Sequence, residues 1–180
     1  KTAAELGDTI QMVRYLENGF NAYPESEYFF VTLVKHYNDH GEYSLALQKV
    51  NRMTNLHPQK RDYWYMKGTE LLLLERYDDA IQAYQQCIDI KADDAEAWAA
   101  IGSIYLHQAH VTYEQFNLPK SDPSYNKQKN AITQLYRQAC TAFEQSRKFD
   151  ENNKTLWLEG LRETYFKLNR GKSLRVLEKL

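Results

Sequence analysis

Disulfide chemistry has almost nothing to work with here: 180 residues hold two cysteines, Cys87 and Cys140, and no CxxC pair. That excludes a cystine-stapled scaffold and a cysteine zinc knuckle, and leaves both thiols as small apolar side chains. Proline and glycine are scarce as well, at four and seven residues. With little period-two alternation beside them, helices dominate. Long apolar runs are missing. The longest aliphatic stretch is Leu71–Leu74, flanked by Glu70 and Glu75, against about 20 residues for a membrane span. An excess of one charge is missing too: 23 Lys and Arg face 24 Asp and Glu, for a net charge of −1. Phosphate binding needs a concentrated basic surface, so nucleic acid is disfavoured as a partner. No signal peptide stands out, but the chain begins at Lys1 rather than Met, so an upstream segment and the compartment both stay open. What is present is a folded composition, 43% hydrophobic and 26% charged, on a chain long enough to bury a sizeable core.

A strict internal period organises that composition. Phe30, Trp64 and Trp98 stand 34 residues apart, as do Val34, Gly68 and Gly102, and Tyr37, Leu71 and Tyr105. A second ladder runs in phase: Met12, Ala46 and Ala80; Leu16, Val50 and Tyr84; Gly7 with Gly41; Pro24 with Pro58. After Trp98 the phase breaks and recovers. Trp98 to Trp157, Ala80 to Ala139 and Tyr84 to Phe143 are each 59 residues, an excess of 25 over the period. One repeat has therefore gained 25 residues between its two helices. Its stripes continue past Tyr105 through Ala109, Thr112 and Phe116 and return through Tyr125, Ile132, Tyr136, Ala139 and Phe143. Between them Asp122 and Pro123 form a helix-start signal. The insertion is expected to lengthen both helices by about 8–10 residues, or about 12–15 Å, into a helical hairpin with Phe116 and Tyr125 near its tip.

A period of 34 carrying Trp, a small residue, an aromatic, Ala, an aromatic and then Pro resembles the tetratricopeptide repeat family. The resemblance covers nearly the whole chain and is sharpest at "WYMKGTELLLLERYDDAIQAYQQCIDI" (64–90). The stretched penultimate repeat and a short closing one, "LWLEGLRETYFKL", are similar to a bacterial subgroup of that family. The chain departs from the pattern where Ala92 and Glu151 replace the repeat-ending Pro, and where Gly160 and Leu161 stand in reversed order. The resemblance implies an all-α fold: a right-handed α-solenoid of helix-turn-helix repeats with one elongated helical hairpin. As a single domain it divides into a partial repeat or capping helix (1–26), repeats at 27–60, 61–94 and 95–153, and a terminal partial repeat (154–180). Helices are expected at 61–74 and 78–91. Because Gly7 is in phase with Gly41, residues 1–6 are expected to finish a first helix, as if cut from a longer array. Trp64, Trp98, Gly68, Gly102, Ala80 and Ala139 are expected to be buried between helices.

Side chains capable of chemistry are present without the companions chemistry needs. The pairs Asp78–Asp79 and Asp93–Asp94 precede expected helices, where carboxylates cap free N–H groups; Asp93 and Glu96 have capping-box spacing. His36 and His40, and His107 and His110, could each offer two metal ligands, but a site needs a third or fourth and no CxxC or HExxH motif accompanies them. "NKT" at Asn153 fits a glycosylation acceptor, a pattern short enough to arise by chance. No glycine-rich phosphate loop and no nucleophile elbow occurs, so no catalytic residue, metal or cofactor is expected.

The resemblance does imply a binding surface. In the family, first-helix residues facing away from the second helix line the inner groove. Here these are Tyr28, Val31, Thr32, Lys35 and Asn38; Tyr65, Met66, Thr69, Leu72 and Leu73; and Ala99, Ala100, Ser103, Leu106 and His107. Chaperone-binding members grip a C-terminal carboxylate with Lys, Asn and Arg; the matching positions here, Val31, Lys35, Met66, Glu96 and Ala100, lack that clamp. A mildly apolar groove around Tyr65, Met66, Leu72 and Leu73 remains, suited to a helix or an extended peptide. Two readings follow: a non-catalytic scaffold that captures a protein or peptide partner, or a structural or oligomerisation subunit that docks onto a folded protein, a second copy included.

Overall fold

The computed structural model describes the backbone of residues 3–179 and side chains from residue 8. Within them nine helices follow one another with no strand between: α1 (Ala3–Ala22), α2 (Glu27–Asp39), α3 (Tyr43–Leu56), α4 (Arg61–Leu73), α5 (Tyr77–Ile90), α6 (Ala95–Glu114), α7 (Tyr125–Phe149), α8 (Lys154–Lys167) and α9 (Gly171–Leu177). The fold is an all-α solenoid of helix-turn-helix repeats. It divides into two compact units, Lys1–Ala83 and Tyr84–Leu180, with the division inside α5.

The period of the sequence reappears in the hydrogen bonds that end the helices. First helices close with a residue in the left-handed region: Gly41 (φ 73°) after α2, Glu75 (φ 57°) after α4 and Asn169 (φ 55°) after α8. In each case the next N–H reaches back five residues: Glu42 donates to the Tyr37 carbonyl (2.8 Å), Arg76 to Leu71 (2.9 Å) and Arg170 to Tyr165 (2.8 Å). This is the Schellman closure, which satisfies carbonyls the helix leaves open. Second helices end in phase as well, with N–H donation from Tyr23 to Gly19, His57 to Met53, Lys91 to Cys87 and Asp150 to Ser146.

The phase that Gly41 and Glu75 occupy falls, one period on, at Ala109, and there the chain does not turn. Ala109 is fully buried in a cluster with Ile132 and Tyr136, edged by Leu106, Phe116, Leu135 and Leu168. Packing across the hairpin thus replaces the turn, and α6 runs 20 residues and α7 25, against 13 or 14 in α2 to α5. Near the tip the Phe116 and Tyr125 rings meet at 5.1 Å. The Asp122 side chain accepts from the Ser124 N–H (2.7 Å), although regular helix begins only at Tyr125, two residues later than the Asp–Pro signal suggested.

In the first unit the core is Leu16 and Phe20 of α1, Phe30, Leu33, Val34 and Tyr37 of α2, Ala46, Val50 and Met53 of α3, and Tyr63 of α4. The Glu17 carboxylate ties three helices together, accepting from Tyr37 Oη (2.5 Å) and Lys49 Nζ (2.9 Å). Burial raises its pKa, but those two bonds outweigh it and hold the carboxyl below its ordinary value. In the second unit Phe143 and Trp157 anchor a cluster with Ala139, Cys140, Leu161, Tyr165 and Leu177. Arg170, the residue that closes α8, donates to Glu144 (3.0 Å) and Cys140 Sγ (3.3 Å), and so clasps α7. Burial pushes the Cys140 thiol up to about 11, away from nucleophilic reactivity.

Several sequence expectations need correction. No helix ends before Gly7: α1 is continuous from Ala3, while Lys1 and Thr2 lie outside the described residues and the burial of Gly7 is not described. Gly68, Gly102, Ala80 and Ala139 are buried, but Trp64 and Trp98 are only half-buried. A ring as large as indole is rarely covered on every side, and the Trp64 N–H turns to the Pro58 carbonyl (2.8 Å). Met12, in phase with two buried alanines, is exposed. Asp78 and Asp79 lie inside the first turn of α5 rather than ahead of it, and Asp79 pairs with Arg76. The cap of α6 is Asp94, which accepts from the Ala97 N–H (3.0 Å), not Asp93.

Candidate functional site

The side chains assigned to the groove are positioned by the seam between α2 and α4 in the first unit. Phe30 and Tyr63 meet edge to face at 5.3 Å, Met66 packs against the same core, and Asn38 Nδ2 donates to Glu70 Oε1 (2.8 Å). With those faces committed, the stripe Tyr28, Val31, Lys35 on α2 is left outward. Tyr28 is 64% exposed and Val31 50%, and Lys35 is exposed. On α4, Tyr65 is half-buried beneath the Arg61 guanidinium (4.5 Å), Thr69 Oγ1 donates back to the Tyr65 carbonyl (3.1 Å), Leu72 is half-buried and Leu73 is 43% exposed. Asn38 and Met66 belong to the floor rather than the rim.

Tyr28 also leads onto a surface that sequence reasoning missed. Its ring meets Phe29 edge-on (5.4 Å), and Phe29 is flanked by Tyr15 (5.8 Å) and Tyr23 (6.5 Å) from α1 and its end. Gly19 makes room: a Cβ there would stand 2.3 Å from the Phe29 ring. Tyr15 and Tyr23 are both exposed. They sit between the ladder positions, so a search for periodic core residues passes over them; large aromatics at solvent-facing phases were the available signal.

In the second unit the assignment holds less well. Ala99 is buried, and Leu106 packs against both core clusters, touching the surroundings of Trp157 and of Ile132. The buried residues of α6 (Ala95, Ala97, Ala99, Ile101, Gly102, Ile104, Ala109) occupy more than one side of the helix, which leaves little open face. Ser103 and His107 are exposed, Ser103 Oγ donating to the Ala99 carbonyl (3.0 Å). The His36 and His40 rings meet at 4.2 Å, but the histidines do not gather into one site. His40 Nδ1 lies 2.8 Å from the His36 carbonyl, and His110 Nε2 lies 2.5 Å from Glu163 Oε1 of α8. Among the described residues no three His, Cys, Asp or Glu side chains come together as a metal site, and no helix is long and apolar enough to cross a membrane.

A model of the TPR repeat family matches residues 68–108, from the middle of α4 to the part of α6 just short of the missing turn. The chain contains a tetratricopeptide repeat. A TPR repeat-containing protein of Schizosaccharomyces pombe is 30% identical over 84 residues, 47% of this chain and 10% of that one. The formate-dependent nitrite reductase complex subunit NrfG of Escherichia coli O157:H7 is 26% identical over 100 residues, 56% of this chain and 50% of that one. The chain therefore spans half or less of the length of these relatives. Solved structures share the all-α fold over nearly the full chain. MamA superposes with a TM-score of 0.64 at 18% identity, covering 97% of this chain and 84% of MamA. MamA of Desulfovibrio magneticus RS-1 superposes at 0.65 with 14% identity, covering 98% and 85%.

Proposed function

We propose that the chain is a non-catalytic protein-interaction scaffold that captures an apolar linear segment of a partner protein on the α2–α4 face, using neither cofactor nor metal. The observation that carries this reading is the exposed apolar set on α2 and α4, Tyr28, Val31 and Leu73, with Tyr65 and Leu72 half-buried. Lys35 is the one cation on the α2 stripe, and the nearby Glu27 is held by Lys60. Such a surface discriminates by apolar contact more than by charge. The chain's near-neutral balance supports a protein rather than a nucleic-acid partner.

A second reading is a subunit that docks by the same face onto a folded protein or a second copy. One relative is named as a subunit of an enzyme complex, which supports this reading. Selection from a displayed library of linear peptides, followed by affinity measurement on Val31→Asp/Leu73→Asp, separates the two. Both residues are exposed, so helicity is expected to be unchanged. Loss of two apolar contacts of about 1.5 kcal/mol each corresponds to roughly 100-fold weaker binding. Undiminished affinity in the double variant rules the face out. Failure to enrich any linear peptide favours the docking subunit.

A further inference from the structure

Beneath that face, the joint between α2 and α4 contains a carboxyl group in an unusual setting. Glu70 is 2% exposed, and its one hydrogen bond among the described residues is the donation from Asn38 Nδ2 to Oε1 at 2.8 Å. Two buried oxygens of this same pair, Glu70 Oε2 and Asn38 Oδ1, have no donor. An ionised carboxylate cannot repair this, because it only accepts, and an anion buried with a single neutral donor carries a large desolvation cost. One proton on Oε2 mends both faults, since it removes the charge and supplies the O–H that Asn38 Oδ1 lacks.

We propose that Glu70 is held as the neutral carboxylic acid in the folded chain and closes a two-bond ring with the Asn38 amide, which makes the α2–α4 joint sensitive to pH. The groups around it leave the proton in place. From α2, Lys35 and Asp39 are exposed, His36 stacks near His40, and Tyr37 gives its hydroxyl to Glu17. From α3, Lys49 is held by Glu17. On α4 itself Lys67 lies over the Trp64 ring, and beyond it Arg76 pairs with Asp79. Among the described residues no cation bonds to Glu70. Burial accordingly raises its pKa, against a smaller lowering by the Asn38 bond. A folded-state pKa above the unfolded value gives stability that is complete below the ordinary carboxyl range and is lost as pH rises through the folded-state value.

Two measurements on the whole chain test this. In the wild type, carboxyl-carbon NMR is expected to show one glutamate still protonated well above the ordinary carboxyl range, and that signal disappears in Glu70→Gln. In denaturant titrations the wild-type unfolding constant is expected to rise about tenfold per pH unit between the unfolded and folded pKa values. Glu70→Gln, whose amide supplies an N–H to Asn38 Oδ1 without a charge, removes that rise. If Glu70→Gln fails to fold, the wild-type spectrum decides by itself. A wild type in which every glutamate titrates in the ordinary range, or whose stability does not fall with pH across that window, overturns the proposal.

Discussion

Replacing Trp157 with alanine is expected to lower the stability of the chain by about 3–5 kcal/mol, the range for truncating a fully buried aromatic. Trp157 is 0% exposed at the centre of the second unit's core, among Ala139, Cys140, Phe143, Leu161 and Tyr165. Its N–H donates to the Asp150 carbonyl (2.9 Å), tying α8 to the end of α7, and the Arg147 guanidinium covers the ring at 5.1 Å. Truncation leaves a cavity, an unpaired carbonyl and an uncovered cation together. Trp64 holds the corresponding phase in the first unit but is half-buried, so Trp64→Ala is expected to cost clearly less. Urea titration followed by circular dichroism reads both. Equal losses would contradict the burial difference between the two indoles.

The second large effect is expected at Gly160, where Gly160→Leu should cost about 3 kcal/mol, the upper end for overpacking a closed core. The Phe143 ring of α7 lies between two glycines, Gly102 of α6 and Gly160 of α8. A Cβ would approach the ring to 3.0 Å at the first and 2.3 Å at the second. Phe143 is itself buried and has no free side to retreat to. Gly171, at the start of α9, has nothing within 4 Å of an added Cβ. Gly171→Ala is therefore the control, expected to be neutral or to stabilise by about 0.5 kcal/mol through the unfolded state. A Gly160→Leu protein with an unchanged midpoint would show that α8 does not pack as described.

The same glycine shows what could be read in the sequence and what could not. The reversed order Gly160–Leu161 looked like a weak match to the repeat, yet Leu161 is fully buried and Gly160 seats Phe143, so both residues serve the packing. Period and phase were legible because some positions enter the core in successive repeats: Leu16, Val50 and Tyr84 are all core residues, and the excess of 25 became the long α6–α7 hairpin. Exposure was less legible, since the ladder says which phase faces a neighbour and not how fully that neighbour covers it. Trp64 and Trp98 stay half-open for this reason, and Ala99 and Leu106, assigned to the groove by phase, are covered because α6 packs on more than one side. Continuity of α1 through Gly7 was hidden as well. Glycine in phase with Gly41 suggests a turn, but a turn also needs the five-residue closure that Tyr37 and Glu42 provide after α2.

The measurement that bears most directly on the interaction-scaffold reading is amide NMR of the isotopically labelled chain titrated with a linear peptide enriched by display selection. Shift changes are expected to gather at Tyr28, Val31, Lys35, Tyr65, Leu72 and Leu73, and to extend to Tyr15 and Tyr23 if the segment crosses the aromatic cluster around Phe29. Changes confined to the α6–α7 hairpin or to α8 and α9, with α2 and α4 silent, would contradict the account.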